Sequence, residues 1–117
     1  MAKLHLALKA EYFDAIRDGT KLEEYRLAND YWTRRLYVNG YRTVGPRTFS
    51  GIILTKGYPK AGDTERTLER PWRGFVRKMI THPHFGPNPV EVFAIDVALA
   101  SRGTVPAGRN ALDKERG

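Results

Sequence analysis

Between Gly19 and Arg26 the chain reads Gly-Thr-Lys-Leu-Glu-Glu-Tyr-Arg, which brings an amine, two carboxylates, a phenol and a guanidinium into one short segment. On an extended backbone Thr20, Leu22, Glu24 and Arg26 face one side, and Lys21, Glu23 and Tyr25 the other. Gly19 sits where a left-handed helix cap is expected, and twist at such a cap can bring Lys21 over the same mouth as Glu24. Three chemistries are then open. The two can form an ion pair, or Lys21 can bind phosphate while Glu24 accepts from a base amino group. The third is general acid/base work, which requires a dry pocket around the lysine. The plain alternative is a solvated ion pair on an edge strand, which contributes little to stability. Arg26 can fix Glu24 through its planar fork or contact phosphate directly, and its place two residues away on the same face favours the first.

The charge distribution points the same way. The net charge is +7, and residues 31–90 carry eleven Lys/Arg against Asp63, Glu65 and Glu69, a net of +8. Residues 1–30 sum to −1 and residues 91–117 to zero. A positive stretch of this kind is matched by polyphosphate. Aromatic residues are interleaved with it: Tyr31, Trp32, Tyr41, Tyr58 and Trp72 among Arg34, Arg35, Arg42, Lys56, Arg70 and Arg73. Aromatic faces stack on bases while cations follow the backbone. Trp32, on a short amphipathic helix, reads as a core-edge residue, whereas Tyr58, beside turn formers, reads as ligand-facing. A basic face that meets an acidic protein is the competing partner class.

Other chemistries find less support. There is no cysteine, so thiolate nucleophiles, disulfides and cysteine-held zinc are excluded. His82 and His84 are spaced to share a metal, but no third ligand is evident, and the prolines around them read as a surface loop. His5 alternates with leucines and reads as packed or exposed. No Walker loop, dinucleotide fingerprint or Ser/His/Asp set occurs.

These residues need elements to position them. Leu4, Leu6 and Leu8 alternate as in a strand, and Lys9 to Asp18 reads as a helix with Tyr12, Phe13 and Ile16 on one stripe. Thr20 to Leu27 reads as extended. Asn29 or Asp30 caps a second short helix over 31–36. Phe49 to Thr55 is the clearest strand, ended by Lys56-Gly57-Tyr58-Pro59. The polar residues 59–71 read as a mobile connection, Trp72 to Thr81 as a strand, 82–89 as irregular, and Val90 to Ala100 as a buried strand. The expectation is four or five strands with two short helices near the N-terminus, in a small curved sheet or partly closed barrel. From Ser101 the Gly, Pro and charged composition predicts a disordered tail.

The segment from Leu4 to Arg26 resembles the ASCH domain, a branch of the PUA-like superfamily. That family carries a G-x-K-x-x-E-x-R run after an N-terminal strand and helix, present here as Gly19, Lys21, Glu24 and Arg26. Tyr31-Trp32 with Arg34-Arg35-Leu36 is similar to the continuation in compact bacterial and phage members. Lys56-Gly57-Tyr58 is similar to their Asn-Gly-Tyr turn. The resemblance implies an α+β, PUA-like small mixed β-barrel over residues 1–100, with a tail at 101–117. It also implies a cleft beside the motif that binds single-stranded RNA or a nucleotide. Some relatives are enzymes: one branch is an amidohydrolase of N4-acetylcytidine nucleosides, which uses a lysine, a threonine and a glutamate. Another is a metal-dependent ribonuclease. Lys21 matches the amidohydrolase pattern, but Glu24 stands where that branch has its threonine.

The expectation is therefore a nucleic-acid-binding protein, with a hydrolase as the alternative and Lys21 and Glu24 as its catalytic pair. Lys21, Arg26, Arg34, Arg35, Lys56, Tyr58, Arg70 and Arg73 are the expected nucleic-acid contacts. No cofactor is expected, and a divalent metal enters only for a ribonuclease. No apolar run is long enough for a membrane span, and Met1 to Leu6 lacks the apolar stretch of a signal peptide, which together suggest a cytoplasmic location.

Overall fold

The computed structural model describes residues 2–99; the expected tail at 101–117 lies outside them. The alternation at the N-terminus forms β1 (Leu4–Leu8), with Leu4, Leu6 and Leu8 buried and His5 exposed. Helix α1 (Ala10–Asp18) follows, with Glu11 in its first turn, Arg17 in its last, and Phe13 and Ile16 buried. Gly19 ends it at φ 87°, a left-handed cap that a Cβ would strain. Strand β2 (Glu23–Leu27) leads to α2 (Asp30–Leu36), where the Asn29 side chain accepts from Trp32 N at 2.9 Å.

After a loop closed by a Tyr37–Pro46 bridge come β3 (Ile52–Lys56), β4 (Thr67–Arg70), β5 (Phe75–Ile80) and β6 (Val90–Asp96). The strands form two three-stranded sheets, in the orders β1-β3-β4 and β2-β6-β5. In the first, β1 runs parallel to β3, with Leu6 opposite Leu54, and β4 runs antiparallel to β3. In the second, β6 is central and antiparallel to both neighbours, with Glu24 opposite Ile95 and Arg26 opposite Phe93. One apolar core joins the sheets: Leu6 and Leu54 from the first, Phe93 and Ile95 from the second, and Phe13, Ile16 and Leu36 from the helices.

The α+β class and the two helices match the sequence reading, and the strand count is six among the described residues. Residues 59–71 depart from it. They contain a 3₁₀ turn (Thr64–Arg66) and β4, with Leu68 opposite Leu54 and Arg70 opposite Ile52. Arg70 fills an inward strand position, which removes the apolar alternation that would have marked this strand. Trp72 and Arg73 precede β5 rather than belonging to it, and residues 83–85 make a single 3₁₀ turn within the irregular segment. No strand pair among the described residues joins the two sheets into a closed barrel.

Candidate functional site

The cap of α1 sets the geometry. Ala15 O accepts from Thr20 N at 2.9 Å and from Lys21 N at 3.1 Å, so the chain folds back over the helix it has just left. Lys21 Nζ consequently lies 5.2 Å from the centre of the Tyr12 ring and 4.6 Å from that of Tyr25. It also stands 3.7 Å from Glu24 Oε1. Glu24 is 6% exposed, one of two buried charged residues among those described. A carboxylate removed from water needs compensating partners. Arg26 supplies one: its Nη2 donates to Glu24 Oε2 at 2.9 Å and to the Ala7 carbonyl at 2.9 Å. The carboxylate is thus held between an amine and a guanidinium, and the guanidinium is itself fixed to β1.

These groups line a cleft of about 290 Å³. Six rings are among the lining residues: Tyr12, Tyr25, Trp32, His82, His84 and Phe85. Both histidine rings meet Tyr12 edge-on, at 5.9 and 5.8 Å, and His84 packs against Phe85 at 4.9 Å. His82 Nδ1 accepts from His84 N at 3.1 Å, which leaves Nε2 to carry the ring proton in the neutral imidazole. Partial burial, with the Glu11 and Glu24 carboxylates adding, holds the Tyr12 phenol above its ordinary value of 10.0, so it remains a donor. The arrangement sets one carboxylate and three cations, Lys9, Lys21 and Arg26, among aromatic rings, which suits a planar ring bearing an amino group and an attached anion.

The expected contact residues fall into separate groups. Lys21, Glu24 and Arg26 meet in the cleft. Arg35 and Tyr58 lie on a neighbouring groove, reached across Arg26 and Trp32. The Arg26 and Arg35 guanidinium carbons lie 5.1 and 5.4 Å from the centre of the Trp32 ring, so this residue joins both sites as well as packing on the core. Arg34 is exposed, with its side chain running beside Gly40. Lys56 is engaged by Asp14 at 2.9 Å and lies over the Phe13 ring.

Arg70 and Arg73 are both engaged within the protein. Arg70 is 8% exposed and donates to the carbonyls of Val97, Glu69 and Ile16. Burial, with the charge of Arg73 adding, pulls its pKa below the ordinary arginine value. Arg73 pairs with Asp96 at 3.0 Å and donates to the carbonyls of Ala98 and Leu99. Each guanidinium supplies several donors to backbone carbonyls in a fixed fork.

His82 and His84 lie on the irregular segment after β5, as the prolines imply, and they also form one wall of the cleft. Tyr12 was placed on the apolar stripe of α1 and also faces this cleft. Their proximity depends on the turn after β5 lying against α1, a long-range contact that no local spacing encodes. Among the described residues no group of three or more His, Asp or Glu side chains comes together to hold a metal, and no helix is long and apolar enough to cross a membrane. Compared with protein-family models, with curated proteins and with solved structures, the chain finds no match.

Proposed function

We propose that this chain binds single-stranded RNA or a nucleotide, taking a base into the cleft beside Lys21 and Glu24. The observation that carries the reading is the buried Glu24 carboxylate, held by Arg26 and Lys21 within a cleft that has six rings among its lining residues. A carboxylate so fixed accepts from the exocyclic amino group of cytosine or adenine, while Lys21 neutralises a phosphate. Tyr12, Trp32 and the two histidines supply faces and edges for a planar base. The excess of positive charge over residues 31–90 supports the same partner.

The reading also keeps the resemblance to ASCH domains. In support stand the order strand, helix, glycine, and then Lys21, Glu24 and Arg26 meeting at one cleft. In this reading the two sheets are the halves of a small PUA-like barrel wrapped round the shared core.

Calorimetric titration with AMP, CMP and UMP tests the proposal. Binding should favour the amino-bearing bases, and Glu24→Gln should remove that preference, worth about 1–3 kcal/mol. Equal affinity for all three in the wild type, or no binding at millimolar nucleotide, would sink it.

A further inference from the structure

The groove beside the cleft has a different chemical character, and its residues argue for an occupant. It shares Ala7, Arg26 and Trp32 with the cleft, so the two are adjoining compartments divided by one guanidinium and one indole. Its lining includes His5, Tyr31, Arg35 and Tyr58 and holds no Asp or Glu. Of the groove's two cations, Arg26 is paired with Glu24 across the divide, and Arg35 faces no acid on the groove side.

Arg35 makes no ion pair among the described residues, and its guanidinium carbon lies 5.8 Å from the Tyr31 ring and 5.4 Å from the Trp32 ring. A guanidinium held over rings presents its donor edge to an anion without reorganising. Tyr58, on the far rim, is 95% exposed, an unusual placement for a large aromatic ring with no packing role.

We infer that this groove is a second nucleotide subsite, so that the protein takes two linked nucleotides of a single strand rather than one free nucleotide. The phosphodiester bridging them lies between Arg26 and Arg35, and the second base stacks on the aromatic residues of the groove, Tyr58 and Tyr31. The inference rests on the nucleotide reading of the cleft and adds the substrate class: a strand, not a monomer. A groove of about 480 Å³ has the space for a second nucleoside unit.

The test compares three probes by calorimetry: a nucleoside 5′-monophosphate, the nucleoside 3′,5′-bisphosphate of the same base, and the dinucleotide in which that monophosphate is extended by uridine on its 3′ side. Wild-type protein should bind the dinucleotide about tenfold or more tighter than the monophosphate, the lower range of one stacked base. The bisphosphate should fall between them, since it carries the bridging phosphate without the second base. Arg35→Gln should abolish most of the gain while changing monophosphate affinity less than about twofold. Tyr58→Ala, at a site too exposed to affect folding, should remove the difference between dinucleotide and bisphosphate. A dinucleotide no tighter than the monophosphate, or a Tyr58→Ala protein that keeps the full gain, overturns the second subsite and leaves the cleft reading intact. Absence of binding by every probe overturns the cleft reading and the second subsite together.

Discussion

Arg26 Nη2 donates to both the Glu24 carboxylate and the Ala7 carbonyl, each at 2.9 Å. One nitrogen therefore ties the motif on β2 to β1 beside the cleft that both strands line. Glu24 is buried, so removing Arg26 leaves a carboxylate with only Lys21 at 3.7 Å. Arg26→Ala should destabilise the fold by about 1–3 kcal/mol, the cost of an unpaired buried polar group. Arg26→Lys should recover little of it, because an ammonium cannot reproduce the guanidinium fork. Urea unfolding of both variants measures this. A lysine variant as stable as wild type would show that charge alone, not geometry, holds Glu24.

Arg35 and Arg70 should separate in their effects. Arg35 faces open groove, so Arg35→Gln should reduce the salt dependence of RNA binding by about one phosphate contact, a slope change of about 0.7 in log K against log salt. Arg70 satisfies the carbonyls of Ile16 and Val97 from inside the fold. Arg70→Ala should leave the salt slope unchanged and cost about 1–3 kcal/mol of stability by taking the guanidinium donor from the Val97 carbonyl. A change in slope on removing Arg70 would place it in the interface.

The contrast between those arginines also marks what local pattern can disclose. Leu4, Leu6 and Leu8, the Phe13–Ile16 stripe and the Gly19 cap are set by neighbours in sequence, so periodicity and cap chemistry read them directly. Strand β4 was hidden because Arg70 occupies its buried position and Leu68 is its only apolar residue. The meeting of Lys21 with Glu24 follows from a local cap and was foreseeable as a twist. The histidine wall was not, because His82 and His84 reach Tyr12 only through the packing of the turn after β5 on α1. Equally, the interleaving of cations and aromatics is blind to which cations are engaged: Lys56 by Asp14, Arg73 by Asp96.

The Lys56–Asp14 pair carries a pH signature. The Lys56 ammonium, 2.9 Å from Asp14 Oδ1, with the charge of Arg17 adding, holds the Asp14 carboxyl below its ordinary value of 3.8. A depressed carboxyl favours the fold above its unfolded value, and that contribution is lost as pH falls through the folded value. Lys56→Ala should move the Asp14 titration back toward 3.8, followed by the carboxyl carbon shift in NMR. An Asp14 titration unaltered by the substitution would show that Lys56 is not its partner in solution. It would then be available to phosphate.

Binding and catalysis at Lys21 and Glu24 make opposite demands. For binding, the amine and carboxylate act as fixed charges, and Lys21→Ala should weaken RNA affinity by roughly one phosphate contact, seen as a smaller salt slope. For hydrolysis, one of them must move a proton, and losing either should lower turnover by about 10²–10⁴-fold, the usual worth of a general acid or base. The proposed binding role takes Glu24 as a fixed charge, paired with Arg26 at 2.9 Å. Incubating labelled single-stranded RNA and N4-acetylcytidine with wild-type, Lys21→Ala and Glu24→Gln proteins, with and without divalent metal, scores both demands together. The expected outcome is retention without product, weakened in the variants. Product formed by wild type and lost in both variants would assign the pair to catalysis.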